Sequence, residues 1–177
     1  PLTRTGELTE FITSGSRGWA EYYSDKGAKF IRVQNLARHR LSFDDVAFVC
    51  PPVSAESKRT RVQPNDLLVT ITGVVGLVAI ASGDIGDAHV SQHVALVRLS
   101  DQINSTFAQA FLADPSGGQR QIAEMQYGQT KPGLNLNQIR SVQIFLPPHT
   151  LQREFAARVS DIHAMETEQA ASRRRLE

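Results

Sequence analysis

Apolar positions in this chain come in short runs broken by turn residues. Phe30, Ile31 and Val33 are apolar around Arg32, with Gln34 and Asn35 following. That near-alternation predicts a strand over residues 29–33 that presents Arg32, Gln34 and Asn35 at its end. Residues 46–49 form another apolar run, stopped by Pro51 and Pro52. Residues 67–72 and 74–81 flank Gly73 and follow a turn at 62–66. They predict two strands paired through a tight connection. Residues 94–99 and 142–146 predict two more strands, the latter ended by Pro147 and Pro148. Near the start, residues 7–12 predict a short strand or helical turn before the turn at 13–16. Residues 55–61 predict a loop or short helix.

Helical spacing occurs toward the C terminus. Phe107, Phe111 and Leu112 share one face of a segment capped by Asn104 or Ser105. Pro115 to Gly118 interrupt it, and residues 119–125 resume it, before a loop over 127–137 rich in Gly, Asn, Gln and Thr. Thr150 is the expected cap of a long helix from about residue 151 to the end. Phe155, Val159 and Ile162 fall at steps of four and three, with Met165 adjoining, a narrow seam suited to a partner helix. The stripe fades into Arg173-Arg174-Arg175, read as the polar face of a truncated helix. The predicted fold is α+β: a mixed or antiparallel twisted β-sheet domain with flanking helices over residues 1–148. A long C-terminal helix for coiled-coil pairing follows over residues 149–177.

Composition narrows the classes. With 177 residues, 41% hydrophobic and 21% charged, the chain has the balance of one globular domain with an appendage. It contains no apolar run of about 18 residues. No signal peptide is visible, so a cytoplasmic location is expected, and the start at Pro1 suggests an excised piece. Cys50 stands alone, which excludes an intrachain disulfide and a multi-cysteine zinc site, and it is expected to be a buried small hydrophobe. His89 and His93 are four apart but lead into a strand, where that spacing does not converge on a metal. No metal site is expected. Phosphate-cradling loops, dinucleotide fingerprints, nucleophile elbows and the Asn/Asp-Pro-Pro-aromatic methyltransferase motif are absent. No catalytic residue and no cofactor are therefore expected.

The net charge of +1 conceals an uneven distribution. Residues 1–61 hold ten Lys/Arg against seven Asp/Glu, whereas residues 62–118 hold one against five. A scaffold in the middle with anion-facing ends fits this better than a uniformly basic surface.

Four passages, in order, carry a resemblance. Residues 13–36 run from a turn with Gly15 and Gly18 through Trp19, Tyr22 and Tyr23 into the strand at 29–33. Residues 62–80 read VQPNDLLVTITGVVGLVAI, residues 91–99 SQHVALVRL, and residues 128–155 GQTKPGLNLNQIRSVQIFLPPHTLQREF. Together they resemble a target-recognition domain of type I restriction–modification specificity subunits, with the adjoining conserved spacer helix. The resemblance implies a non-catalytic reader of one half of a bipartite duplex DNA target. Its implied partners are double-stranded DNA, methyltransferase subunits, a restriction subunit, and a second recognition domain with its helix. Arg153 stands where the family often has glutamine, which shifts the expected start of the helix. A complete subunit would carry two such domains and two helices; one of each is present.

Within that reading, Ser16 and Arg17 occupy a turn where backbone and guanidinium reach a phosphate together; the alternative is an exposed turn arginine. Arg32, Gln34 and Asn35 have base-reading chemistry, since Arg grips guanine and amides grip adenine, but amides at a strand end also cap backbone. Arg38, with His39 and Arg40, either tracks the DNA backbone or is simply solvated. Gln129, Thr130 and Lys131 form a DNA-facing loop or a structural turn. Trp19, Tyr22 and Tyr23 are expected to be scaffold, and His93 reads as structural or close to DNA. Phe155, Val159, Ile162 and Met165 are the partner-helix candidates. Two other readings are a recognition part of a fused restriction–methylation enzyme and a helix-mediated assembly module.

Overall fold

A computed structural model of the chain describes residues 1–37, 39–81, 83–127 and 132–174. The strands are β1 (Leu2–Arg4), β2 (Thr9–Ser14), β3 (Tyr23–Ser24), β4 (Ala28–Ile31), β5 (Leu36–Ala37), β6 (Arg40–Leu41), β7 (Ala47–Val49), β8 (Leu67–Thr70), β9 (Val78–Ile80), β10 (Ala88–Val90), β11 (Val94–Leu99) and β12 (Gln143–Phe145). The helices are α1 (Ala55–Thr60), α2 (Ser105–Ala113), α3 (Gly118–Met125), α4 (Leu136–Ser141) and α5 (His149–Arg174).

An antiparallel sheet ordered β2-β11-β8-β9 forms the centre, and its two faces are both covered. Leu67, Val69, Ala95 and Val97 pack with Leu112, Ile122 and Ile139 of the helices. Leu68, Val94 and Leu96 face the other way, onto Ile31, Ala88 and Val90. Burial on both sides explains why β8 and β11 are near-continuous apolar runs rather than alternating ones. The second sheet, β10-β4-β7-β3, is mixed, with β10 parallel to β4 and the other pairs antiparallel. Its outer aromatic cluster is Trp19 and Phe30 with Ala28 and Val49. β1 pairs with β12, tying the start of the chain to the strand before the last helix.

The turn before β8 has a buried charge at its centre. Asp66 is 1% exposed, accepts from the Gln63 N–H at 2.7 Å, and is gripped through both oxygens by Arg98 at 2.9 and 2.8 Å. The two parallel bonds are the geometry in which Arg holds a carboxylate best. They lock the Pro64 turn onto β11.

Several expectations need correction. The strand at 29–33 ends at Ile31, and Val33–Asn35 form a 3₁₀ turn. The second strand of the β8–β9 pair begins only at Val78, so residues 71–77 are an open loop with Val74 at 59% exposure. Part of the expected loop at 127–137 belongs to α4. Asn135 accepts from the Gln138 N–H at 2.9 Å, and Gln138 accepts in return from Asn135 at 2.8 Å, a reciprocal cap. Cys50 is exposed.

α5 starts at His149, so Thr150 lies inside it; the Pro148 carbonyl takes the first N–H groups, from Leu151 and Gln152. Gln152, one position before Arg153, is the buried amide at the helix base. Among the described residues no helix is long and apolar enough to cross a membrane.

Candidate nucleic-acid interface

Five parts of the chain converge on an open cleft of about 870 Å³, the fifth being Tyr127, Pro132 and Gly133. The turn after β2 supplies Ser16 and Arg17, and the turn after β4 supplies Arg32 and Gln34. The loop after β8 gives Thr72, and the link from β10 to β11 gives Gln92 and His93. Among the described residues no Asp or Glu lines it, and Asp45, outside the lining, pairs with Arg32 at 3.5 Å. A concavity lined by two guanidiniums and two amides, with no carboxylate among its described lining residues, favours an anionic ligand with hydrogen-bonding edges.

The Gly-rich turn is held from beneath by α1. Arg59 donates to Thr13 Oγ1, to the Ser14 carbonyl at 2.6 Å and to Ser16 Oγ at 2.7 Å. One turn away, Glu56 accepts from Trp19 Nε1 at 2.6 Å. That bond, with smaller help from Ser16 and Arg59, holds the Glu56 carboxyl below its ordinary pKa. Gly15 presses on the backbone after β10: a Cβ there would sit 2.8 Å from the Gln92 nitrogen and closer still to the Val90 carbonyl. Gly18 has φ +95°, which other residues resist. Arg17 therefore sits exposed on a turn fixed by its neighbours.

Trp19, 5% exposed, stacks on Phe30 with centroids 5.4 Å apart and planes 3° from parallel. This agrees with its expected role as scaffold. Tyr23, 46% exposed, meets the Phe30 edge and lines the cleft.

Arg32 and Gln34 reach the cleft as a coupled pair. With its amide oxygen turned toward the guanidinium, Gln34 accepts from Arg32 Nη1 and Nη2 at 3.2 and 3.1 Å. Arg32 Nη2 also donates to the Asp45 carbonyl at 3.0 Å. Asn35 is not brought to the cleft. It is 1% exposed; its oxygen accepts from the Arg32 N–H at 2.9 Å, and its nitrogen donates to the Ser42 and Asp45 carbonyls, each at 3.1 Å. Its amide is consumed in shaping the turn that carries Arg32.

The basic cluster at 38–40 divides. Arg38 lies outside the described residues. His39, at φ +60°, accepts from the Val78 N–H at 3.1 Å, and Arg40 pairs with Glu166 of α5 at 2.5 Å. Arg40 thus braces the last helix instead of lining the cleft. Gln129, Thr130 and Lys131 also lie outside the described residues, while Tyr127, Pro132 and Gly133 on either side line the cleft. Sequence reasoning missed Arg59 and Glu56; their spacing on a polar six-residue helix carried no signal for a clamp.

On α5, Phe155 meets Phe107 edge-on at 5.6 Å, and Val159 lines a groove against His39 and Arg40. Ile162 and Met165 are 50% and 56% exposed. The expected seam thus begins against the chain's own α2, where Phe155 is still 39% exposed, and opens further toward Ile162 and Met165.

Residues 9–177 match the family described as the type I restriction modification DNA specificity domain. The chain is similar to the type I restriction enzyme EcoBI specificity subunit of Escherichia coli, 26% identical over 141 residues, which cover 78% of this chain and 29% of that protein. Its fold is similar to that of the HsdS subunit from Thermoanaerobacter tengcongensis, with TM-score 0.69 and 16% identity over 97% of this chain and 39% of the other. A likeness of the same kind extends to the type IIG restriction endonuclease BpuSI, with TM-score 0.64 and 12% identity over 90% of this chain and 26% of the enzyme. The chain thus spans less than half the length of each of these relatives.

Proposed function

The chain belongs to the type I restriction–modification DNA specificity family, and from that membership we propose that it reads one half of a bipartite duplex DNA target without performing catalysis. The observation that carries this is the convergence of Ser16, Arg17, Arg32 and Gln34 on one cleft whose described lining residues include no Asp or Glu. Arg17 positions the DNA through a phosphate, and the Arg32–Gln34 pair faces base edges. Arg38, Gln129, Thr130 and Lys131 remain candidate contacts on their chemistry alone. Methyltransferase subunits, the restriction subunit and a second recognition domain are the partners in this reading, and the compartment is the cytoplasm. Ile162 and Met165, with Phe155 and Val159 behind them, form the side of α5 that meets a partner helix. The division into a reading domain at 1–148 and a spacer helix at 149–177 belongs to the same proposal.

A second reading places the domain inside a fused restriction–methylation polypeptide, favoured by the fold's likeness to a restriction endonuclease. The DNA-reading role is common to both. Its test is the salt dependence of duplex binding. Each phosphate contact contributes roughly 0.9 to the slope of log K against log salt, so Arg17→Ala is expected to lower the slope by about one. An unchanged slope and affinity would remove Arg17 from the interface.

A further inference from the structure

The cleft contains a hydrogen-bonded relay outside the contacts already assigned. His93 is exposed; its Nδ1 lies 2.5 Å from Thr72 Oγ1 and its Nε2 lies 2.9 Å from Gln92 Nε2. An amide nitrogen only donates, so His93 Nε2 is the acceptor, and the ring proton sits on Nδ1 and is donated to the Thr72 hydroxyl. The backbone beneath is tied as well. Ile71 N–H donates to the His93 carbonyl at 2.9 Å, and Leu134 N–H donates to the Ile71 carbonyl at 2.9 Å.

This relay occupies one N–H of Gln92. Among the described residues, the amide's second N–H and its carbonyl oxygen have no other side-chain hydrogen bond. They form an adjacent donor and acceptor at the cleft wall. In the major groove adenine presents the matching pair, an N7 acceptor beside an N6 amino donor, whereas guanine presents two acceptors. Resting on the DNA-reading assignment above, we propose that Gln92 reads an adenine of the half-site, with His93 and Thr72 as positioning residues that hold its amide.

The test uses the complete protein carrying this domain, with its modification partners. Binding is measured to duplexes substituted singly at each half-site position, the site being taken from methylation profiling. Gln92→Ala is expected to cut discrimination at one adenine roughly 5- to 150-fold, leaving other positions unchanged. Gln92→Glu, which keeps the volume but removes both N–H donors, is expected to relax the same position. Thr72→Val should relax that position too, while Thr72→Ser, which retains the hydroxyl, restores it; a merely structural threonine would instead weaken all duplexes alike.

If every adenine stays fully discriminated in both Gln92 variants while Arg17→Ala weakens binding, the Gln92 assignment is overturned and the cleft reading stands. If Arg17→Ala also leaves binding intact, both fall.

Discussion

Replacing Gln152 by alanine tests the joint between the sheet domain and its last helix. The Gln152 side chain is 1% exposed; its oxygen accepts from the Asn104 N–H at 2.7 Å, and its nitrogen donates to the Pro147 carbonyl at 2.9 Å and more weakly to Gln102 at 3.4 Å. Alanine leaves the half-buried Asn104 N–H and Pro147 C=O without their partner. Each unsatisfied group costs roughly 1–3 kcal/mol, so about 2–4 kcal/mol is expected, with water entering the space relieving the upper end. Asn104 also caps α2 through Thr106 and Phe107, so the loss spreads to the helix on which Phe155 rests. In urea unfolding, with a slope of about 2 kcal/mol per molar, the midpoint should fall by about 1–2 M. Gln152→Glu should cost at least as much at neutral pH, because a carboxylate faces the Pro147 carbonyl, and its deficit should shrink as acid restores a donor. A loss below about 0.5 kcal/mol for Gln152→Ala would refute the view that this amide pins α5.

Arg59→Ala should weaken duplex binding roughly tenfold by releasing the Ser14–Ser16 turn while leaving the salt slope unchanged, since Arg59 holds Arg17's loop and touches no phosphate; a slope reduced by about one would instead make it a direct contact. His89 is 5% exposed and shares a hydrogen bond with Thr60 Oγ1, and burial pushes its pKa below the ordinary imidazole value. The unfolded chain therefore binds its proton first, so His89's contribution is fully present above about pH 6.5 and is lost as pH falls through the lower folded pKa. Urea midpoints measured from pH 7.5 to 5 should decline, and His89→Gln should flatten the decline; an equal slope in the variant would assign it to other groups.

Strands buried on both faces were the most legible part of the fold. β11 matches its expected span over residues 94–99, and α2 its Asn104 cap, because dense apolar runs and a cap residue act locally. β12 falls within its expected strand at 142–146, whereas β1 and its pairing with β12 were harder to see, since that pairing joins residues about 140 apart and β1 has no strong pattern. The cleft was legible in its chemistry and less so in its membership. Asn35 and Gln34 are adjacent amides, and only the turn at Val33–Asn35 decides that one is buried and the other presented. Arg40 likewise had the right charge for a phosphate, but an acidic side chain 126 residues away claims it.

The position of β11 explains how such a domain could serve two ends at once. Gln92 and His93 immediately precede the strand and line the cleft. Asp101, Gln102 and Asn104 follow it and receive His149 and Gln152 of α5. Six residues at about 3.4 Å each separate the two by roughly 20 Å. That distance is stiff, because β11 is paired on both edges, by β2 and β8, and Asp66–Arg98 pins it to the turn before β8. A stiff strand between a reading cleft and a helix base converts the helix's direction into a fixed placement of the cleft. Variation can then be confined to the exposed positions of the cleft-end loops, such as Arg17, Gly73 and Val74, without disturbing core residues such as Ile71 or the joint at the other end.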